Sequence, residues 1–293
     1  MSPVGESRRD AFLRDGFVQV AGGCSRDLES IRRRVDELVA SPDSPAIFRF
    51  GEQGRKIHYK IPQLAARDGQ FLALAQDPRI VSVVEDLIGP ARVFRDVVIG
   101  KPPVAGTVVH YHQDAAYWDV DRPERVLSAW IALDDAPEQA GCLRVLPGSH
   151  RETIAHRMTV GGRKLPAPIA AVLRRAISLT GTGDNPRRWR ERALARAKRI
   201  VLGSATRLIP ALNDLNELRI ESGAIAAERS LPIPAQAGDV IFFSSRLIHG
   251  SGPNVGSHER RAYIVSYMSE QCRVPGHPSS DFLPARAPVP RPL

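Results

Sequence analysis

The segment His110-Tyr111-His112-Gln113-Asp114 sets an imidazole or a carboxylate at every second position. Along an extended strand residues i and i+2 project to one face, so His112 and Asp114 can close on a single ion. A third donor, His249, comes far downstream, at the end of the apolar run DVIFFSSRLI and inside SSRLIHGSGPN. Two neutral imidazoles and one carboxylate on one side of a metal leave positions open for oxygen and a co-substrate, which suits non-haem Fe(II). One carboxylate also keeps a ferrous site near neutral and leaves room for an anionic chelator. Arg260 heads the run RRAYIVSYM, eleven residues past His249. A guanidinium there could pair in bidentate fashion with the far carboxylate of a dicarboxylate co-substrate. A lone His-x-Asp is common in proteins; the later His249 and Arg260 give this one its weight. His110 shares the face of His112 and could serve as ligand instead, but the His-x-Asp spacing favours His112 and leaves His110 to line the substrate side or to pack. Tyr117, Trp118 and Asp119 lie just beyond the ligands, as substrate contacts or as loop packing.

These residues need a rigid frame. Residues 1–90 read as mainly helical. Ser25 can cap a helix carrying Leu28, Ile31, Val35, Leu38 and Val39, and a second amphipathic run starts at Asp77-Pro78 and stops at Gly89-Pro90. Between them FRFGEQGRKIHYK reads as a short strand pair or an ordered loop. From 91 the pattern turns to short β-branched and aromatic runs punctuated by Gly, Pro and Asp. Strands in two runs, 91–150 and 236–270, predict a sandwich or barrel whose halves are separated in sequence. The gap, 151–235, holds the helical stretches IAAVLRRAISL and RRWRERALARAKRIVLG and reads as a helical insertion. The tail, 274–293, is Pro-rich.

Four motifs carry a family likeness: HQDAAYW, SAWIALDDAPEQAGCLRVLPGSHR, AGDVIFF and HGSGPNVGSHERRA. In contents and order they resemble the phytanoyl-CoA dioxygenase family of Fe(II)/2-oxoglutarate oxygenases, over roughly residues 8–40, 76–151 and 236–270. The resemblance implies a mainly β fold with flanking helices, namely a double-stranded β-helix (jelly-roll, cupin-like) core with N-terminal helices outside it. It implies iron ligands His112, Asp114 and His249, and Arg260 holding the C5 carboxylate of 2-oxoglutarate. Lys101, Trp130 and Ser251 match positions that line the co-substrate pocket in relatives. Halogenating relatives replace the carboxylate of the His-x-Asp motif by a small residue, so Asp114 points to a hydroxylase-type dioxygenase. With Fe(II), 2-oxoglutarate and O2, such an enzyme oxidises an unactivated C–H bond and releases succinate and CO2.

The bulk properties narrow the alternatives. The chain has 293 residues, 41 Lys+Arg against 32 Asp+Glu, and 43% hydrophobic residues, the proportions of a globular protein. We expect one oxygenase domain over 1–293. No stretch approaches the roughly 20 apolar residues of a membrane-spanning helix, and the N-terminus lacks the apolar core of a secretory signal. Cys24, Cys142 and Cys272 are odd in number and widely spaced, which predicts reduced thiols in the cytoplasm. The net charge of +9 is concentrated: residues 151–209 hold 14 Lys+Arg against 3 Asp+Glu, leaving the remainder near neutral. The insertion is therefore expected to act as a lid over the pocket, to meet an anionic or CoA- or carrier-tethered substrate, or simply to be a solvated basic face. Two further readings are a non-redox cupin-type isomerase or hydrolase, and an oxygenase homologue docking nucleic acid through the insertion. Arg260 disfavours the first, which has no use for a dicarboxylate clamp. The lack of interleaved aromatics on the strands disfavours the second, and no nucleic-acid partner is expected.

Overall fold

A computed structural model describes residues 7–50, 56–104, 107–154, 157–160, 163–164, 218–220 and 229–287. Four helices precede or flank the first long strand: α1 (Arg8–Asp15), α2 (Leu28–Ala40), α3 (Gly69–Ala75) and α4 (Pro78–Ile88). α4 starts as its sequence predicts. Pro78 occupies the first turn, where its missing N–H costs nothing, Asp77 caps Arg79 N, and Gly89 closes the end. α2 differs from the expectation. Its cap is Asp27, whose carboxylate takes the N–H groups of both Glu29 and Ser30. Ser25 instead donates to the fully buried Asp77, joining the approach to α2 to the start of α4.

The strands are β1 (Phe17–Val20), β2 (Ile47–Phe50), β3 (Lys56–Pro62), β4 (Ala91–Lys101), β5 (Val109–His112), β6 (Val126–Ala132) and β7 (Leu143–Val145). They continue with β8 (Arg157–Val160), β9 (Arg163–Lys164), β10 (Leu218–Arg219), β11 (Leu231–Ile233), β12 (Val240–Ser244), β13 (His249–Ser251), β14 (Arg260–Ser269) and β15 (Leu283–Pro284). An eight-stranded sheet runs β1-β12-β6-β14-β4-β3-β2, with β15 also on β4; a four-stranded sheet runs β11-β7-β13-β5. Every pairing in both is antiparallel. The 47–62 segment thus forms the strand pair its sequence allows. The two sheets face each other in a jelly roll flanked by the helices. Trp130, Ala132, Ile241 and Phe243 of the large sheet share one buried cluster with Leu143, Val145 and Ile233 of the small one.

The outer face of the large sheet is sealed by the helices. Tyr263 and Tyr267 of β14 are fully buried there, and their hydroxyls donate to the carbonyls of Phe71 and Ala75 on α3. Each large side chain sealed in this way contributes about 1.5–3 kcal/mol. The inner face is the more open one: Val97 and Ile99 on β4 and Ile264 on β14 keep partial exposure while their outward neighbours Val98, Tyr263 and Val265 are buried. A sheet more accessible on its inward side encloses a cleft, and the strands around it position the site.

The 151–235 segment departs from its helical expectation where it is described. Near its ends lie strands: β8 pairs with β9 and with β10 in a small ribbon, and β11 joins the four-stranded sheet. Both expected helices, and with them the lid, lie outside the described residues. The Pro-rich tail adds β15 to the edge of β4 through Leu283 and Pro284. Arg261, next to Arg260 but on the opposite face of β14, is nearly buried: it grips Asp134 through Nε and Nη2 at 2.8 and 3.0 Å and reaches Asp36. Among the described residues no helix is long and apolar enough to cross a membrane.

Candidate metal centre

His112 is the last residue of β5, and antiparallel pairing sets it directly opposite His249, the first residue of β13. The rings lie 4.3 Å apart between centroids. Asp114 follows in a single 3-10 turn, Asp114–Tyr117, rather than in the strand itself. The turn keeps the carboxylate on the imidazole side, with Oδ1 at 3.5 Å from His112 Nε2 and 3.7 Å from His249 Nε2. Among the described residues this is the one group of three His, Cys, Asp or Glu side chains able to hold a metal, its ligand atoms all within 4.8 Å of one another.

Both imidazoles are oriented by the same local device. His112 Nδ1 lies 2.8 Å from the carbonyl of His110, and His249 Nδ1 lies 3.0 Å from that of Leu247. A carbonyl only accepts, so Nδ1 carries the proton in each ring and Nε2 presents its lone pair to the centre. The carboxylate is oriented from the opposite sheet. Ser128 on β6 donates to Asp114 Oδ2 at 3.0 Å, and its hydroxyl sits 2.9 Å from that of Ser266 on β14. Ser128 has one proton, already given to Asp114, so Ser266 donates to Ser128. Burial pushes the Asp114 carboxyl up, but His249, His112 and Ser128 outweigh it and hold the group below its ordinary value. Gln113, almost fully buried, locks the turn by donating to the carbonyls of Glu152 and Arg246 and accepting from Ile154 N.

A second cluster closes one end of the cleft. Lys101, the last residue of β4, pairs with Arg260, the first of β14. Lys101 is fully buried and donates from Nζ to Ser251 Oγ at 2.7 Å and to the Gly252 carbonyl at 2.5 Å. Arg260 is 2% exposed, and among the described residues its Nε has no hydrogen-bond partner. Its guanidinium lies 5.5 Å from the Trp130 ring centroid, in cation–π range. Burial pushes Arg260 down to about 10, which leaves it protonated at neutral pH. Gly141 supports this end from behind: at φ +72°, a Cβ on it would sit 2.5 Å from the Gly252 carbonyl oxygen.

The structure therefore brings His112, Asp114 and His249 together, and gathers Arg260, Lys101, Trp130 and Ser251 at the far end. His110 contributes its carbonyl to the orientation of His112. Tyr117 stands edge-on to the His112 ring, 5.5 Å between centroids. Trp118 packs edge-on against Phe94 at 5.2 Å, within a small apolar cluster, and Asp119 is exposed. Sequence reading missed Gln113, Ser128 and Ser266; each is a common polar residue whose importance comes from a partner distant in the chain.

Replacing Ser128 by alanine removes a side-chain hydroxyl that donates to Asp114 and leaves Oδ2 buried. Losing such an outer contact costs about 10- to 100-fold in metal affinity. We expect that loss in an Fe(II) titration of Ser128→Ala, with the fold retained; unchanged affinity would contradict the orienting role.

The sequence and the fold have counterparts among known proteins. The family model described as phytanoyl-CoA dioxygenase (PhyH) matches residues 12–262. The chain belongs to this family. The mouse protein named phytanoyl-CoA dioxygenase domain-containing protein 1 is 24% identical over 92% of this chain and 91% of its own length. L-proline trans-4-hydroxylase of Streptomyces griseoviridis is 24% identical over 91% of this chain and 87% of its own. The solved epimerase SnoN in complex with Fe3+, alpha ketoglutarate and nogalamycin RO shares the fold, with a TM-score of 0.57 at 19% identity, covering 96% of this chain and 94% of its own. Phytanoyl-CoA dioxygenase family members are 2-oxoglutarate-dependent non-haem iron oxygenases, and the cofactors are iron and 2-oxoglutarate, with O2 as oxidant. The donors present fit both groups: a His-Asp-His set with oriented Nε2 atoms for the metal, and a buried guanidinium with an unsatisfied N–H.

Proposed function

We propose that this chain is a hydroxylase-type Fe(II)/2-oxoglutarate dioxygenase that oxidises an unactivated C–H bond of a small organic molecule and yields succinate and CO2. The observation that carries this reading is Asp114, a carboxylate aimed between two oriented imidazoles and fixed through its other oxygen. His112, Asp114 and His249 would hold the metal. Arg260 would pair with the C5 carboxylate of 2-oxoglutarate, Lys101 and Ser251 would complete that end, and Trp130 would support the guanidinium. Bound iron supplies the oxygen activation that is coupled to decarboxylation of the co-substrate. The chain's own part is to present three donors in one geometry, to anchor the co-substrate at its far end, and to keep the cleft lined with Val97, Ile99 and Ile264. The relatives named L-proline trans-4-hydroxylase and ectoine dioxygenase favour a small-molecule substrate. A secondary-metabolite intermediate or a lipid-like acyl compound suits the aliphatic wall, and the whole chain, 1–293, is taken to act as one domain with 151–235 as its lid.

The test is an anaerobic titration of the Fe(II)-loaded protein with 2-oxoglutarate, followed by the weak visible metal-to-ligand charge-transfer band. The band should appear, and admitting air should release succinate slowly even without substrate. A folded, iron-loaded protein that shows no band would overturn the reading.

A further inference from the structure

The two imidazole ligands share a support outside the cleft. β5 is the four-residue edge strand of the small sheet, and its pairing with β13 slips by one residue. His112 faces His249 and Val109 faces Ser251, so His110 and Tyr111 together face Gly250. This is a β-bulge, a device that bends a strand and re-aims the side chain beside it. The bulge also supplies the His110 carbonyl, the one that orients the His112 ring. Gly250 is what the bulge requires. A Cβ there would lie 2.7 Å from the Val109 carbonyl oxygen and 3.2 Å from Cδ1 of Tyr111. The Tyr111 ring therefore rests against bare backbone, one residue from His249.

Tyr111 is held from three directions. Its hydroxyl donates to Ser230 Oγ at 2.7 Å. Arg144 on β7 holds the same serine, through Nε to Oγ at 3.1 Å and through Nη2 to the carbonyl at 3.0 Å. The Tyr111 carbonyl accepts from Ile220 N at 2.9 Å, one residue past β10. Its ring packs in a small apolar cluster with Leu146, Ile154, Ile220 and Ile248, and Ile248 directly precedes His249. On the other side of His112, Gln113 accepts from Ile154 N at 3.0 Å and donates to the Glu152 carbonyl at 2.7 Å. The two neighbours of His112 thus bind both described ends of the 151–235 segment, and none of these side chains belongs to the metal group.

We propose that Tyr111 is a positioning residue for His112, and that through Tyr111 and Gln113 metal binding and the docking of residues 152–154 and 218–220 reinforce each other. The inference rests on His112, Asp114 and His249 as the metal ligands and adds a coupling to that site. A short edge strand carrying an extra residue is weakly held in register by its own pairing. The ring across Gly250 and the amide of Ile220 supply what the pairing lacks, and so keep Nε2 of His112 turned to the centre. In return, a metal that bridges His112 and His249 fixes the bulge, and with it the acceptors of the Ile220 and Ile154 amides. Coupling of this kind is reciprocal by thermodynamic necessity.

The experiment is amide hydrogen exchange on the full chain, kept anaerobic and free of 2-oxoglutarate, with and without Fe(II). Fe(II) should slow exchange at Ile154 and Ile220 at least about fivefold more than in the β2–β3 hairpin, the lower end of ordinary coupling between sites. Tyr111→Ala should lower Fe(II) affinity about 10- to 100-fold, as loss of an outer support does, and abolish the extra protection at Ile220. Tyr111→Phe keeps the ring and loses the hydroxyl, and should recover most of the affinity. A merely structural Tyr111 would lower the melting temperature of the metal-free protein and leave the Fe(II) affinity of the folded variant unchanged. That result overturns the proposal, as does slowing that is absent or equal in both regions of the parent. The parent alone decides if Tyr111→Ala does not fold. The charge-transfer band with 2-oxoglutarate reports separately on the oxygenase reading. A band without selective protection sinks only this inference, and selective protection without a band sinks only that reading.

Discussion

Asp114→Asn is expected to lower 2-oxoglutarate turnover by roughly a thousandfold or more, about 4 kcal/mol, while the protein stays folded. The substitution is nearly isosteric, and the amide oxygen can still accept from Ser128. What it removes is the single negative charge among the three ligands. A ferrous ion facing two neutral imidazoles and an amide would keep its full charge in a cleft that already holds Lys101 and Arg260. Iron affinity should therefore fall steeply, and the rise in melting temperature on adding Fe(II), which measures binding to the folded state, should largely vanish. The metal-free variant should melt no more than a few degrees below the metal-free parent, because the burial penalty of the native carboxylate disappears together with the attractions of His249, His112 and Ser128 that outweigh it. Melting curves with and without Fe(II), together with succinate release, test both halves. Retention of native iron affinity by Asp114→Asn would remove Asp114 from the ligand set.

The ligands could be read from the chain because they obey local rules. Alternation along a strand put His112 and Asp114 on one face, and an apolar strand ending at His249 announced a donor at a sheet terminus. Asp114 in fact arrives by a 3-10 turn, but the turn preserves the face, so the inference survived a wrong detail. Residues that act through distant partners gave no such signal. Ser128 matters because Ser266, 138 residues away, donates to it, and Gln113 because its amide meets Glu152 and Arg246. Nothing in a serine or glutamine alone foretells a partner across a sheet. The capping residue of α2 shows a milder form of the same limit. Ser25 and Asp27 both suit a cap by type, and the choice fell to Asp27 because the fully buried Asp77 accepts from Ser25. Arg261 is hidden for a related reason: the carboxylates that receive it, Asp134 and Asp36, belong to a turn and a helix that only the folded chain brings near.

Arg260→Met should separate co-substrate binding from iron binding. The guanidinium is almost fully buried, its Nε lacks a partner among the described residues, and the aromatic face of Trp130 is its neighbour. A cation held in this way costs the metal-free fold something, since burying charge without full hydrogen bonding is unfavourable. That cost is tolerable where a dicarboxylate returns it as a bidentate, charge-assisted pair. Methionine fills similar volume without charge, so the metal-free variant should melt at the same temperature as the parent or higher. Two lost charge-assisted hydrogen bonds, at about 1.5–3 kcal/mol each, predict a rise in the half-saturating 2-oxoglutarate concentration of roughly a hundredfold or more. Fe(II) affinity measured without 2-oxoglutarate should change little, because Arg260 is not one of the three side chains that group to hold a metal. Arg260→Lys should recover little, since an ammonium cannot reproduce the fork. An anaerobic 2-oxoglutarate titration of parent and variants, read by the charge-transfer band, decides the matter: an unshifted midpoint in Arg260→Met would move the C5 carboxylate to another partner. A lowered melting temperature with a shifted midpoint would mean that Arg260 is also part of what holds the two sheets together.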